Sequence, residues 1–244
     1  MINLLSSEWL KLRKSSVWLL IFISPLLAAL AGFGEADHPG VEGELQWLYT
    51  LSSMAFVHAL LFLPLLTGVF SAFVCRYEHL GGGWKQLLSL PVSRRNVYIV
   101  KFSLVMGLIA VSQLLFLGGL LLVAQLKGFD APIPWKIILE SIAGGWVACL
   151  PVAALQMFVS AAWSSFAAPL AINVVFTLPN ILVANSETYG PFYPWAQPFL
   201  TMIPRMGEEF GALNASMETL LIVILGGFVL FFLSGMTYFQ RKEI

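Results

Sequence analysis

The sequence is 244 residues long, 59% hydrophobic and only 11% charged, with a mean hydropathy of +0.85. A soluble domain is about 45–50% apolar and about 25% charged, and a sphere of this size cannot hide so much apolar side chain from water. A soluble enzyme, a disordered tail and a secreted disulfide scaffold are therefore excluded; the 13 basic and 13 acidic residues cancel, so only the placement of charge along the chain is informative.

Residues 1–16 read as an amphipathic helix, with Ile2, Leu5, Trp9 and Leu12 on one stripe and Lys11 and Lys14 off it. Such a helix lies in the membrane interface with its apolar face down and its lysines toward anionic lipid. Six stretches then approach the roughly 20 apolar residues that cross about 30 Å of hydrocarbon: 17–33, 51–74, 102–126, 141–163, 167–184 and 220–238. None alternates with period two, so a β-barrel is excluded. The first stretch follows a basic segment but is expected to stay in the mature protein, because no convincing small-residue cleavage site follows it. The expected fold is a single all-α transmembrane domain over 1–244, with six spans.

Orientation follows the bias of lysine and arginine toward cytoplasmic loops. The N-terminal segment, the loop 76–101 and the C-terminal tail hold ten of the thirteen cations, accompanied only by Glu8, Glu78 and Glu243. The alternate connections hold Lys127, Lys136 and Arg205 against ten carboxylates. Both termini are expected in the cytoplasm.

Within the spans, His58 is the only titratable group well inside, and it reads as an interhelical hydrogen-bonding group rather than a proton relay. His58, Gln113, Gln156 and Asn173 are either packing residues or part of a substrate path and interface, and prolines at 25, 64, 151, 169 and 179 punctuate the helices. The small pairs Gly118-Gly119, Gly144-Gly145 and Gly226-Gly227 permit close helix approach.

The loop 76–101 reads RYEHLGGGWKQLLSLPVSRRNVYIVK. Three glycines break the preceding helix, residues 84–90 form about two helical turns with Trp84, Leu87 and Leu88 on one face, and Pro91 stops them because it has no N–H to give. A short amphipathic piece between two spans either docks in a groove on a cytosolic partner or caps the bundle at the interface. The outer connection 185–217 is rich in proline and aromatic residues and is expected to form short re-entrant helices packed on protein, where their backbone groups can be satisfied.

Sites for chemistry are sparse. Gly81-Gly82-Gly83-Trp84-Lys85 lacks the spacing and the hydroxyl residue of a phosphate-cradling loop, so no nucleotide hydrolysis is expected in this chain by that route. No H-E-x-x-H occurs, the three histidines lie in different segments, and Cys75 and Cys149 have no metal spacing. Glu208-Glu209 reads as solvated acidic surface. Without carboxylates at the midplane an ion-coupled transporter is disfavoured. Energy must come from elsewhere.

Glu78, the run Gly82–Arg95 (GGWKQLLSLPVSRR), Tyr98 and Lys101 together resemble the coupling-helix region of ABC-2-type transporter permeases. The resemblance is closest to the small permeases of bacterial lantibiotic and bacitracin immunity systems. Ser7 to Ser15 (SEWLKLRKS) is similar to the same family's N-terminal interfacial helix, and Gly83 departs from the threonine many relatives carry there. The resemblance implies a half-transporter in a bacterial cytoplasmic membrane, pairing with a second permease, identical or homologous, and with two copies of a cytosolic ATPase that binds ATP and magnesium; no cofactor is expected in this chain and no nucleic-acid partner. It also implies that Trp84, Leu87 and Leu88 anchor the ATPase, that Lys85 and Arg94 make polar contacts with it, and that Glu78 braces a helix end. The implied cargo is a membrane-active peptide antibiotic or a lipid-like molecule, expelled outward. The alternatives are the same scaffold moving haem, sodium, lipid or polysaccharide, a non-transporting immunity or sensor protein, and a membrane enzyme using Glu187, Glu208 or Glu209.

Overall fold

The computed structural model describes residues 2–13, 15–34, 42–80, 82–205 and 214–242, and among them the regular structure is helical throughout, with no strand. The helices are α1 (Ile2–Arg13), α2 (Val17–Gly34), α3 (Glu44–His79), α4 (Gly83–Leu88), α5 (Arg94–Lys127), α6 (Trp135–Ala162), α7 (Ala167–Thr177), α8 (Asn180–Ala184), α9 (Gln197–Met202) and α10 (Met217–Arg241). α6 lies centrally, between α3, α5, α9 and α10, and α2 packs along α5 and α3. The outer faces of α2 and α10 stay apolar and exposed, with Leu19, Leu26 and Leu30 on one and Ile222, Leu225 and Leu230 on the other. That is the surface a helix bundle turns toward lipid, where apolar side chains need no cover.

Among the described residues, five helices are long and apolar enough to cross a membrane: α2, α3, α5, α6 and α10. The sixth expected stretch, 167–184, is divided. Pro179 has no N–H for the carbonyl four residues back and leaves the helical path at ψ 2°. α7 keeps 11 residues, about 16 Å at 1.5 Å per residue, which is half the hydrocarbon thickness. By contrast α3 and α5, at 36 and 34 residues, overrun the stretches 51–74 and 102–126. Hydropathy marks the depth of the apolar layer, while the hydrogen-bond ladder continues through the polar residues beyond it.

α3 contains one turn of π-helix, His58–Phe62, immediately before Pro64. Pro64 leaves the carbonyl of Leu60 without its helical donor. Asn180 supplies one from outside: its Nδ2 donates to Leu60 O at 2.7 Å and to Trp195 O at 3.0 Å. Asn173 grips the next turn, donating to Pro64 O at 3.0 Å and Leu65 O at 3.1 Å. It can approach because a Cβ on Gly68 would lie 2.2 Å from its amide nitrogen. Two asparagines therefore fasten the broken segment α7–α8 to the kink in α3. An interhelical hydrogen bond in a membrane protein averages only about 0.6 kcal/mol, but an orphaned buried carbonyl costs about 1–3 kcal/mol. Because Pro64 denies Leu60 its i+4 amide donor, Asn180→Leu is expected to cost toward the larger figure. A lowered melting midpoint in detergent is the predicted result, and an unchanged midpoint refutes this account of the kink.

The described part of the connection 185–217 also packs on protein. α9 is buried along its length against α6, with Ser141 Oγ donating to Met202 O at 2.5 Å. Thr201 and Met202 sit against Gly144 and Gly145. Gly119 faces α2 and Gly227 faces Pro151, while Gly118 and Gly226 meet open space, so two of the three glycine pairs contribute a single close approach.

Candidate functional site

Ten cations and three carboxylates fall in the N-terminal segment, the loop 76–101 and the tail, and the structure buries two of those carboxylates. α1 turns Leu4, Glu8, Lys11 and Leu12 onto α3 and α5; Glu8 and Glu78 are each 2% exposed and Lys101 is 1% exposed. Lys101 Nζ lies 2.5 Å from Glu8 Oε2, 2.8 Å from Glu78 Oε2 and 2.8 Å from the carbonyl of Val74. Lys11 Nζ lies 2.6 Å from Glu78 Oε1 and also pairs with Glu8. Each lysine thus bridges both carboxylates, in a closed ring of four charges that sums to zero. Burial disfavours the charged form of Lys11, but hydrogen bonds and attraction from Glu78 and Glu8 outweigh it and hold its pKa above the ordinary 10.5.

This ring corrects the reading of α1. Lys11 faces protein rather than lipid, while Leu5, Trp9 and Leu10 remain exposed; Lys14 lies outside the described residues. The ring went unread in the sequence, although a signal was present: Glu8 and Glu78 are the rare acidic residues among ten cations. Lys101, assigned to a loop, is inside α5, which begins seven residues earlier at Arg94.

α4 folds back on the end of α3. Gly82 takes the left-handed conformation at φ 75°, and a Cβ on Gly83 would come within 2.8 Å of Glu78 Cα and of the Tyr77 carbonyl. Glycine at 83 lets the two backbones touch. The inward face of α4 carries Trp84 and Leu87, both buried. Trp84 Nε1–H donates to His79 Nδ1 at 3.3 Å, and His79 in turn approaches the Ser160 carbonyl at 2.7 Å. These partners require the neutral tautomer with its proton on Nε2. The Trp84 ring also packs on Phe239, centroids 5.0 Å apart, and Lys101 Nζ lies 5.6 Å over it. One indole therefore touches the end of α3, the last helix and the charge ring.

The outward face of α4 and its exit consists of Lys85, Gln86, Ser89 and Leu90, with Leu88 half-buried. Helical spacing put Trp84, Leu87 and Leu88 on one face; the first two are buried and Leu88 is half-buried against the core, and spacing could not say which way that face points. Arg94 is likewise turned to its own chain, its Nη1 donating to Gln240 O at 3.1 Å and Lys242 O at 2.6 Å, so it closes the end of α10. Lys242 does the same for α6, donating to Ala161 O at 2.8 Å and Ala162 O at 3.2 Å.

The polar residues singled out in the sequence, His58, Gln113, Gln156 and Asn173, fall into two separate networks. His58 joins Ser24 Oγ (2.6 Å) to Gln113 Oε1 (3.2 Å), and Gln113 continues to the Ile142 carbonyl at 3.3 Å. This chain ties α2, α3, α5 and α6, with the His58 ring stacked on Phe116 at 4.6 Å. Asn173 Oδ1 accepts from Trp195 Nε1 at 2.8 Å and from Gln156 Nε2 at 3.3 Å. All four side chains are buried, and their hydrogen bonds hold helices together. Elsewhere, Glu187 accepts from Asn214 at the surface at 2.8 Å, and Glu208 and Glu209 lie outside the described residues.

Two comparisons bear on this arrangement. The sequence profile of the family described as "ABC-2 family transporter protein" matches residues 4–180. A bacitracin transport permease protein of Bacillus licheniformis is 22% identical over 165 residues, covering 64% of this chain and 77% of that one.

Proposed function

This chain belongs to the ABC-2 family of transporter proteins, and from that premise we propose that it is the membrane-spanning half of an ATP-driven exporter that expels a membrane-active peptide antibiotic. It works with a separate cytosolic ATPase, two copies per complex, and with a second permease, identical or homologous. ATP and magnesium belong to the ATPase, and both termini of the permease lie in the cytoplasm. The observation that carries this reading is α4: a short helix between two spanning helices, fastened on one face to the bundle and offering Lys85, Gln86, Ser89 and Leu90 on the other. Trp84, Leu87, Glu78 and Arg94 act behind that face, as the link between the docked ATPase and α1, α3, α5 and α10. The peptide cargo is supported by the bacitracin transport permease named above and by the near absence of titratable groups at mid-membrane. The other reading, the same machine moving another lipid-like cargo, is separated by resistance profiling.

Leu90 is 55% exposed, so replacing it should leave the fold intact. Affinity purification of the tagged chain is expected to recover a stoichiometric subunit with a phosphate-cradling nucleotide loop, and Leu90→Asp with Lys85→Glu to reduce that recovery at least tenfold with no change in melting midpoint. Full recovery with the double variant would remove α4 as the docking element; repeated recovery of the chain alone would remove the exporter reading.

A further inference from the structure

At the same end of the bundle as α4, a cleft of about 320 Å³ opens between α3, the end of α6 and the start of α7. Its only described charged wall group is Arg76, and no carboxylate lines it. The guanidinium is held over two rings, 5.8 Å from the Phe73 centroid and 5.3 Å from that of Phe166. It donates no hydrogen bond among the described residues, so its fork of N–H groups is preset and free. Three hydroxyls share the cleft. Ser164 makes no hydrogen bond to a described residue, and Ser165 accepts from the Ala168 amide at 3.3 Å, which leaves its proton to give. Ser160, 2% exposed, has an Oγ with no hydrogen-bond partner among the described residues. His79 contributes only its ring edge, because both of its nitrogens are engaged. The remaining wall is apolar, with Leu80 and Phe166 at the rim.

A fixed cation with free donors, hydroxyls beside it and an apolar rim at the end of spanning helices match a phosphate that carries hydrocarbon. We propose that this cleft binds the phosphate of an anionic phospholipid, with Arg76 and the hydroxyls of Ser164 and Ser165 on its oxygens and Leu80 and Phe166 against the glycerol and first acyl carbons. The site shares His79 and Ser160 with the Trp84 contact, so an occupied cleft braces the base of α4. Naming the leaflet cytoplasmic rests on the proposed orientation; the binding itself does not.

The test uses the delipidated full-length chain in mild detergent with dansyl-labelled phosphatidylglycerol, read by energy transfer from tryptophan. Unlabelled phosphatidylglycerol is expected to displace the probe at least tenfold more effectively than phosphatidylcholine. Arg76→Gln and Ser164→Asp are each expected to weaken binding at least fivefold. Ser164 is exposed and unbonded, so its variant tests the site even if Arg76→Gln fails to fold. Equal displacement by both lipids, or unchanged binding in Ser164→Asp, overturns the proposal. Displacement by millimolar inorganic phosphate but not by phosphatidylglycerol overturns the lipid as the source of the phosphate.

Discussion

Lys101→Met is expected to be the most destabilising single substitution in the charge ring. It removes the one cation that contacts both Glu8 and Glu78 from inside the bundle and leaves two buried carboxylates facing Lys11 alone. Breaking a buried ion pair from one side costs about 3–5 kcal/mol, because the surviving charge keeps its desolvation penalty and loses its compensation. For a chain of this size that corresponds to a melting midpoint lower by roughly 10 °C. The same physics predicts a partial rescue. Glu78→Gln in the Lys101→Met background restores neutrality, leaving Glu8 with Lys11, and should recover a large part of the loss. Thermal unfolding in one detergent, followed by size-exclusion chromatography, measures both variants. A double variant no more stable than the single one would show that packing of the lysine stem, rather than charge balance, is what matters at this position.

Trp84→Ala should act locally. Truncating a buried aromatic side chain costs about 3–5 kcal/mol, and here it also strips His79 Nδ1 of its donor. α4 has only six residues, too few to hold a helix in water without tertiary packing. The loss therefore appears as undocking of this segment more than as global unfolding. Amide exchange across 83–92 is expected to accelerate at least a hundredfold, since each 1.4 kcal/mol is a factor of about ten. Exchange in α6 should stay near its original rate. In the exporter proposed above, the undocked helix should bind the ATPase weakly and transmit nothing, so resistance and cargo-stimulated ATP hydrolysis are expected to fall together. Leu90→Asp with Lys85→Glu separates the two faces of α4: it should lose ATPase binding with exchange unchanged. Slow exchange in Trp84→Ala would mean that Leu87 and the chain connections suffice to hold α4.

Much of this protein was legible in the order of its residues. The apolar runs placed the five long helices because membrane insertion depends on summed hydropathy over about 20 residues, a property of the sequence itself. The glycine run, the amphipathic turn and Pro91 marked α4 to within a residue or two, since breakers act on their own backbone. Tertiary structure decided the rest. Whether 167–184 spans as one helix depended on what Pro179 does in the context of α3, where Asn180 and Asn173 find carbonyls freed or exposed by the kink. The direction of the Trp84 face depended on Phe239, His79 and Lys101, which come from three other helices. Glu8, Lys11, Glu78 and Lys101 are up to 93 residues apart in the chain. Periodicity tells which side chains share a helix face, and it carries no information about what that face meets. Charge pairing across helices is fixed only when the bundle closes and removes water from between them.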